Sequence, residues 1–213
     1  MGNLIEYSKK EEIANAITHG LGIAFGIFAL VFLILTHYKT TDVYGLVSYI
    51  VYGVSLIILY LSSTLYHSIP IKKAKIHLRR LDHASIFILI AGTYTPISMV
   101  ALRGKLGWTI LITIWSIALL GIIFKVFFIN KFKILSVIMY LAMGWLIIFA
   151  IKPLIVALST KSLVFLIIGG LFYTVGILFY ALQSVGFKYS HSIWHLFVLA
   201  GSIFHFIMIY LLN

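Results

Sequence analysis

Apolar residues fall into seven long stretches separated by short polar connections, at about 17–36, 45–67, 82–102, 107–128, 134–151, 162–182 and 192–212. Each comes near the ~20 residues that a helix needs to cross the hydrocarbon core of a bilayer. The pattern predicts an all-α fold, an integral membrane bundle of seven transmembrane helices. The fifth run is the shortest. No stretch remains for a second unit, so residues 1–213 read as one seven-helix transmembrane domain preceded by a short segment, 1–16. Glycines recur inside the runs, as expected where helices pack closely in lipid. Gly22 and Gly26 form a small-xxx-small pair, read as packing within the chain rather than between chains.

Composition sharpens this picture. Hydrophobic residues make up 62% of the chain and the mean hydropathy is +1.13, well above the roughly half-apolar usage of soluble domains. A multi-pass protein of the cell membrane is expected. Glu6, Glu11 and Glu12 precede the first run together with Lys9 and Lys10, and no small-residue cleavage site follows, which argues against a removed signal peptide. The formal net charge of +11 comes from Lys and Arg spread through the connections. That distribution suits membrane topology and anionic lipid rather than nucleic acid. Eleven of these cations, including Lys72, Lys73, Lys75, Arg79 and Arg80, fall on the N-terminal side, against five on the other. The excess places the N-terminus in the cytoplasm and the C-terminus outside.

The chain has no Cys, so a metal site must be built from imidazole, carboxylate or hydroxyl groups. His191 and His195 open the last run one helical turn apart, on one face, where both can reach one ion. His67, ending the second run with Ser63 one turn before it, is the candidate third ligand. Asp82 is the only carboxylate after Asp42, and any anionic role inside the membrane falls on it. These residues are scattered along the sequence, yet the topology brings all of them to the cytoplasmic ends of their helices. Polar groups at membrane depth are costly and tend to be functional. His37 and His77 read as interfacial residues, and His205 lies too deep to share an ion with His191 and His195. Thr93-Tyr94-Thr95-Pro96 reads first as a kink whose hydroxyls repair freed carbonyls. Polar residues between Glu12 and His19 line one side of a helical stretch that could cap helix ends or fold under the site.

Taken together, Glu12-x-x-Asn15-x-x-Thr18-His19-Gly20, Ser62-Ser63-Thr64-Leu65-Tyr66-His67, Leu81-Asp82-His83 and His191-x-x-x-His195 resemble the hemolysin III family. That family is the bacterial branch of the superfamily of progestin and adipoQ (adiponectin) receptors. The resemblance runs from about Glu11 to the C-terminus. It implies a zinc ion held by His67, His191 and His195, with Asp82 holding a zinc-bound water and Ser63 close behind. It also implies ceramidase-like amide or ester hydrolysis of membrane lipid, serving lipid homeostasis, and hemolytic activity in some bacterial members. The short N-terminal segment departs from the receptors, so a hormone-receptor role is not expected.

Two functions of different class follow. In the first, three neutral imidazoles leave zinc an open position for water, and Asp82 and Ser63 serve the attack on a lipid carbonyl. In the second, the protein is a pore-forming cytolysin or a sensor in which zinc only ties helices together. A retinal-type pump is excluded, because the last run has no Lys for a Schiff base.

Overall fold

The computed structural model describes residues 7–129 and 133–212. Among them every regular element is helical: α1 (Lys9–His37), α2 (Val43–Ser68), α3 (Lys72–Pro96), a π-helical turn (Ile97–Leu102), α4 (Gly104–Phe128), α5 (Lys133–Trp145), a 3-10 turn (Leu146–Ala150), α6 (Ile151–Ala157), α7 (Thr160–Leu182), a short 3-10 turn (Gln183–Val185) and α8 (Ser190–Tyr210). Seven of the resulting helical stretches are long and apolar enough to cross a membrane, the fifth being made of α5, its 3-10 turn and α6. Of the expected N-terminal segment 1–16, residues 1–6 lie outside the described residues, as does Lys131 among the counted cations.

Two boundaries differ from the apolar runs, both at polar helix ends. α1 starts at Lys9, eight residues before its run, because Ser8 and Glu11 close a reciprocal capping box: the Glu11 amide donates to Ser8 Oγ at 3.3 Å and the Ser8 amide to Glu11 Oε2 at 3.0 Å. α3 starts at Lys72, ten residues before its run. Lys, Arg, Leu and Ala propagate a helix well in water, so the basic stretch expected as a loop is three helical turns. Asp82 consequently lies not in the first turn of its helix but about 15 Å along it.

α1 packs between α2 and α8, α3 lies on the other side of α2, α4 on α3, and α7 along α8. The first and last helices of the bundle are thus neighbours. The α1–α2 approach depends on Gly22, since a Cβ there would collide with the ring of Tyr60. The span through α5 and α6 touches α3, α4 and α7 only sparsely. Its backbone is interrupted at Trp145–Ala150, and one hydroxyl repairs it: Tyr94 donates to the carbonyl of Met143 at 2.8 Å and accepts from the Ile147 amide at 2.8 Å. Irregular backbone is tolerated at membrane depth where protein groups satisfy it in this way. In α3, Thr93 and Thr95 donate to the carbonyls of Leu89 and Ala91, both at 2.8 Å, just before Pro96 and the π-turn. Neither is the Gly92 carbonyl that Pro96 frees, so these hydroxyls do not make the expected repair, and Thr93 and Tyr94 instead face a cavity.

Candidate metal centre

The end of α2 and the starts of α1 and α8 meet at one end of the bundle. Glu11, after capping α1, accepts the Tyr189 amide through Oε1 at 3.1 Å. Tyr189, left-handed at φ 59°, turns the chain into α8, and the bond to Glu11 holds that uncommon conformation. His191 and His195 then project on one face of α8 toward His67 of α2. Ring centroids are 5.1 Å apart for His67 and His191, 5.3 Å for His67 and His195, and 4.5 Å for His191 and His195. One ring nitrogen of each lies within 4.8 Å of the others, and all three residues are buried.

The hydrogen bonds say which nitrogens. His67 Nδ1 lies 2.6 Å from Glu12 Oε2, an acceptor only, so the proton sits on Nδ1. Asn15 Nδ2, at 3.5 Å from the same nitrogen, is too distant to compete. His191 Nδ1 donates to Gln183 Oε1 at 3.2 Å, and His195 Nδ1 to the Asn15 carbonyl at 3.2 Å, with Thr18 Oγ1 at 3.1 Å. With every Nδ1 committed, each Nε2 carries a bare lone pair. All three Nε2 atoms are buried without a protein partner. Leaving one such atom unpaired costs about 1–3 kcal/mol, and three clustered imidazoles with free nitrogens of this kind fit a cation. A neutral imidazole set suits first-row divalent metals, so the triad could hold one.

Around the rings lies a supporting layer. Lys75 of α3 bonds the other oxygen of Glu12, Ser192 Oγ donates to Asn15 Oδ1 at 2.5 Å, and Gln183 Nε2 bonds the hydroxyl of Tyr7. Tyr7 covers the rings of His67 and His191, with centroids at 5.6 and 5.2 Å, and burial pushes its pKa upward, keeping the hydroxyl neutral. Groups of this kind fix tautomer and ring orientation in metal sites.

Of the other expected site residues, Ser63 is fully buried one turn before His67, its Oγ without a protein partner. Asp82 is buried, with Oδ2 3.3 Å from His83 Nδ1, and is not one of the clustered donors. It stands in the wall of a cavity of about 200 Å³ that also includes His19 and continues between α3, α5, α7 and α8. Ile148 and Ile167 line the same cavity while half-exposed on the outside of the bundle, so the cavity reaches the lipid-facing surface between the fifth and sixth spans. His205 sits at its far side and bonds the Leu166 carbonyl at 3.1 Å, away from the triad as expected. The polar stretch from Glu12 to Thr18 does fold under the site and supplies three of its supporting contacts. Gln183 and Tyr7 carried no signal in the sequence, because neither belongs to a periodic or spaced pattern.

A helical membrane bundle with a buried three-histidine centre at one end and a lipid-facing cavity beside it defines the class. The model of the family described as Haemolysin-III related matches residues 7–206. The chain belongs to the hemolysin III family. Hemolysin-3 homolog of Bacillus subtilis (strain 168) is 50% identical over 196 residues, covering 92% of this chain and 91% of that protein. Hemolysin-3 of Bacillus cereus is 50% identical over 193 residues, covering 91% and 87%. Monocyte to macrophage differentiation factor of Homo sapiens is 30% identical over 210 residues, covering 94% and 83%. No solved structure matches.

Proposed function

We propose that this protein is a zinc-dependent hydrolase of amide or ester bonds in membrane lipid, with its centre facing the cytoplasm. The clustering of three buried histidines whose Nε2 atoms lack protein partners, beside a cavity that reaches the lipid, carries this reading. His67, His191 and His195 would hold the zinc. Bound there, zinc would supply Lewis acidity and bring the pKa of a water toward about 7. Among the described residues only three donors cluster, whereas structural zinc sites are closed by four protein ligands; this favours a catalytic over a purely structural ion. Asp82 would orient the attacking water and accept its proton. Ser63 Oγ would donate a hydrogen bond to oxygen as negative charge develops. Glu12, Gln183 and the Asn15 carbonyl hold the three Nδ1 protons and keep the rings aimed. The apolar cavity would receive an acyl chain entering sideways from the bilayer, and the excess of Lys and Arg on the N-terminal side supports the cytoplasmic assignment.

The name of the Bacillus cereus relative supports a second reading, lysis through a pore. Metal content of the purified wild type beside His191→Ala and Asp82→Asn separates the two. About one zinc per chain, lost with His191→Ala and kept with Asp82→Asn while lipid turnover falls by roughly 10²–10⁴, is expected for the hydrolase. A folded wild type without metal, or ion flux through liposomes that survives loss of His191 and His195, would favour the pore.

A further inference from the structure

Among the described residues, five rings outside the triad pack against its imidazoles: Tyr7, His19, Tyr66, Tyr180 and Trp194. Four of them stand inside helices, on α1, α2, α7 and α8, so none of the four leaves the triad without moving or unwinding part of the bundle. Tyr7 is different. It precedes Ser8, the N-cap of α1, and a turn of one residue is enough to swing its ring away. The pivot for that turn is firm: Glu11 holds both the amide and the hydroxyl of Ser8, so α1 keeps its start whichever way Tyr7 lies.

The ring is held by its contacts with His67 and His191 and by one hydrogen bond, donated by Gln183 Nε2 to its hydroxyl. Gln183 belongs to the short 3-10 turn between α7 and α8 rather than to either helix. Tyr7 is half-buried, while Ser8, Lys9 and Lys10 after it and Phe187, Lys188 and Tyr189 across from it are exposed. It therefore lies between the buried rings and the surface at this end of the bundle. Contacts this few open far more often than a packed bundle does. We propose that Tyr7 is the gate of the centre: metal ions and other small polar solutes reach His67 and His191 when this one ring swings out, and they do not cross the bundle. The metal as solute rests on the reading of the triad as a metal site; the gate rests only on Tyr7 and its latch. A gate differs from a support in what it does to rates. Removing it speeds entry and exit alike and leaves affinity in place, whereas losing a group that orients a ligand acts on exit.

Two measurements on the full-length purified protein test this. In the first, zinc is added to the metal-free protein and, separately, withdrawn from the loaded protein by excess chelator, which gives both rates and their ratio. Tyr7→Ala should speed both by roughly 10–100-fold, about what one hydrogen bond and two ring contacts contribute to an equilibrium, with Kd little changed. Tyr7→Phe, which keeps the ring and loses the Gln183 bond, should fall between. In the second, the metal-free protein is treated with diethyl pyrocarbonate, which acylates free imidazole nitrogens. Modification of His67 and His191 is followed by mass spectrometry against that of His77, exposed on α3. Tyr7→Ala should raise the ratio by a similar factor. Zinc rates that Tyr7→Ala leaves at wild-type values, an exit rate that rises alone with a matching loss of affinity, or an unchanged modification ratio overturns the gate. A wild type that takes up no zinc, beside a Tyr7→Ala protein whose histidines are modified faster, would count against the metal reading and leave the gate standing.

Discussion

Two polar clusters lie inside the bundle, and they are built on opposite terms. Around Ser202 of α8, Tyr60 donates to Oγ at 2.7 Å, Tyr173 bonds the same oxygen at 2.8 Å, and Tyr52 donates to the Ser202 carbonyl at 3.1 Å. Each of these hydroxyls is paired, and the cluster ties α2 and α7 to α8. At the other cluster the Nδ1 side of every triad histidine is just as well paired, while the Nε2 side is left bare. A satisfied buried network rigidifies, and an unsatisfied one is expensive to keep. Burial and polarity are alike in the two clusters; the unpaired atoms mark the one that could hold a metal.

The difference can be broken from either side. His195→Ala should remove the metal almost completely, from about one ion per chain to a trace, measured by elemental analysis of protein that still elutes as a folded species. Glu12→Gln keeps the size of the side chain but weakens the acceptor for His67 Nδ1; metal affinity should fall roughly 10–100-fold, read by chelator competition, with little change in thermal stability. Ser202→Ala should do the reverse. It leaves the metal stoichiometry at the wild-type value and costs about 1–3 kcal/mol of stability through the stranded tyrosine hydroxyls, visible as a lower Tm in detergent. A metal loss with Ser202→Ala as large as with His195→Ala would erase the distinction.

The smallest effect belongs to the opposite end of the bundle. Asp42 caps α2 by accepting the Gly45 amide at 2.9 Å and pairs with Arg103 at 2.8 Å. The Gly45 bond, with help from Arg103, holds its carboxyl below the usual value. A carboxylate with a lowered folded pKa stabilises fully above its unfolded value of about 3.9 and loses that contribution as pH falls through the lowered one. The gap in Tm between wild type and Asp42→Ala should therefore be small near neutrality and close on acidification.

The seven spans were legible because lipid demands long uncharged runs and little else competes with that signal. The triad was legible too, as an i, i+4 pair on a late helix and a polar residue at an early helix end. Hidden were the parts that rest on contact rather than spacing. Lys75 sits in a stretch that reads as a loop, yet its helical turn delivers it to Glu12. Gln183 is one polar residue in a short turn, recognisable only once the bundle brings it to His191. The break at Trp145–Ala150 is flanked by Gly144 and Pro153, which mark it, but its repair is supplied by Tyr94, some fifty residues earlier, which no local pattern announces.

The adjacency of α1, α2 and α8 also has a temporal side. His67 and His195 are separated by most of the chain, and synthesis at ~5–20 residues per second puts on the order of 10 s between their appearances. Through that interval the early helices sit in the membrane with one of the three histidines, and Glu12 can already engage His67. Docking of α8 is then the step that completes the donor set, so a metal held by the triad would report that the last helix has found its place.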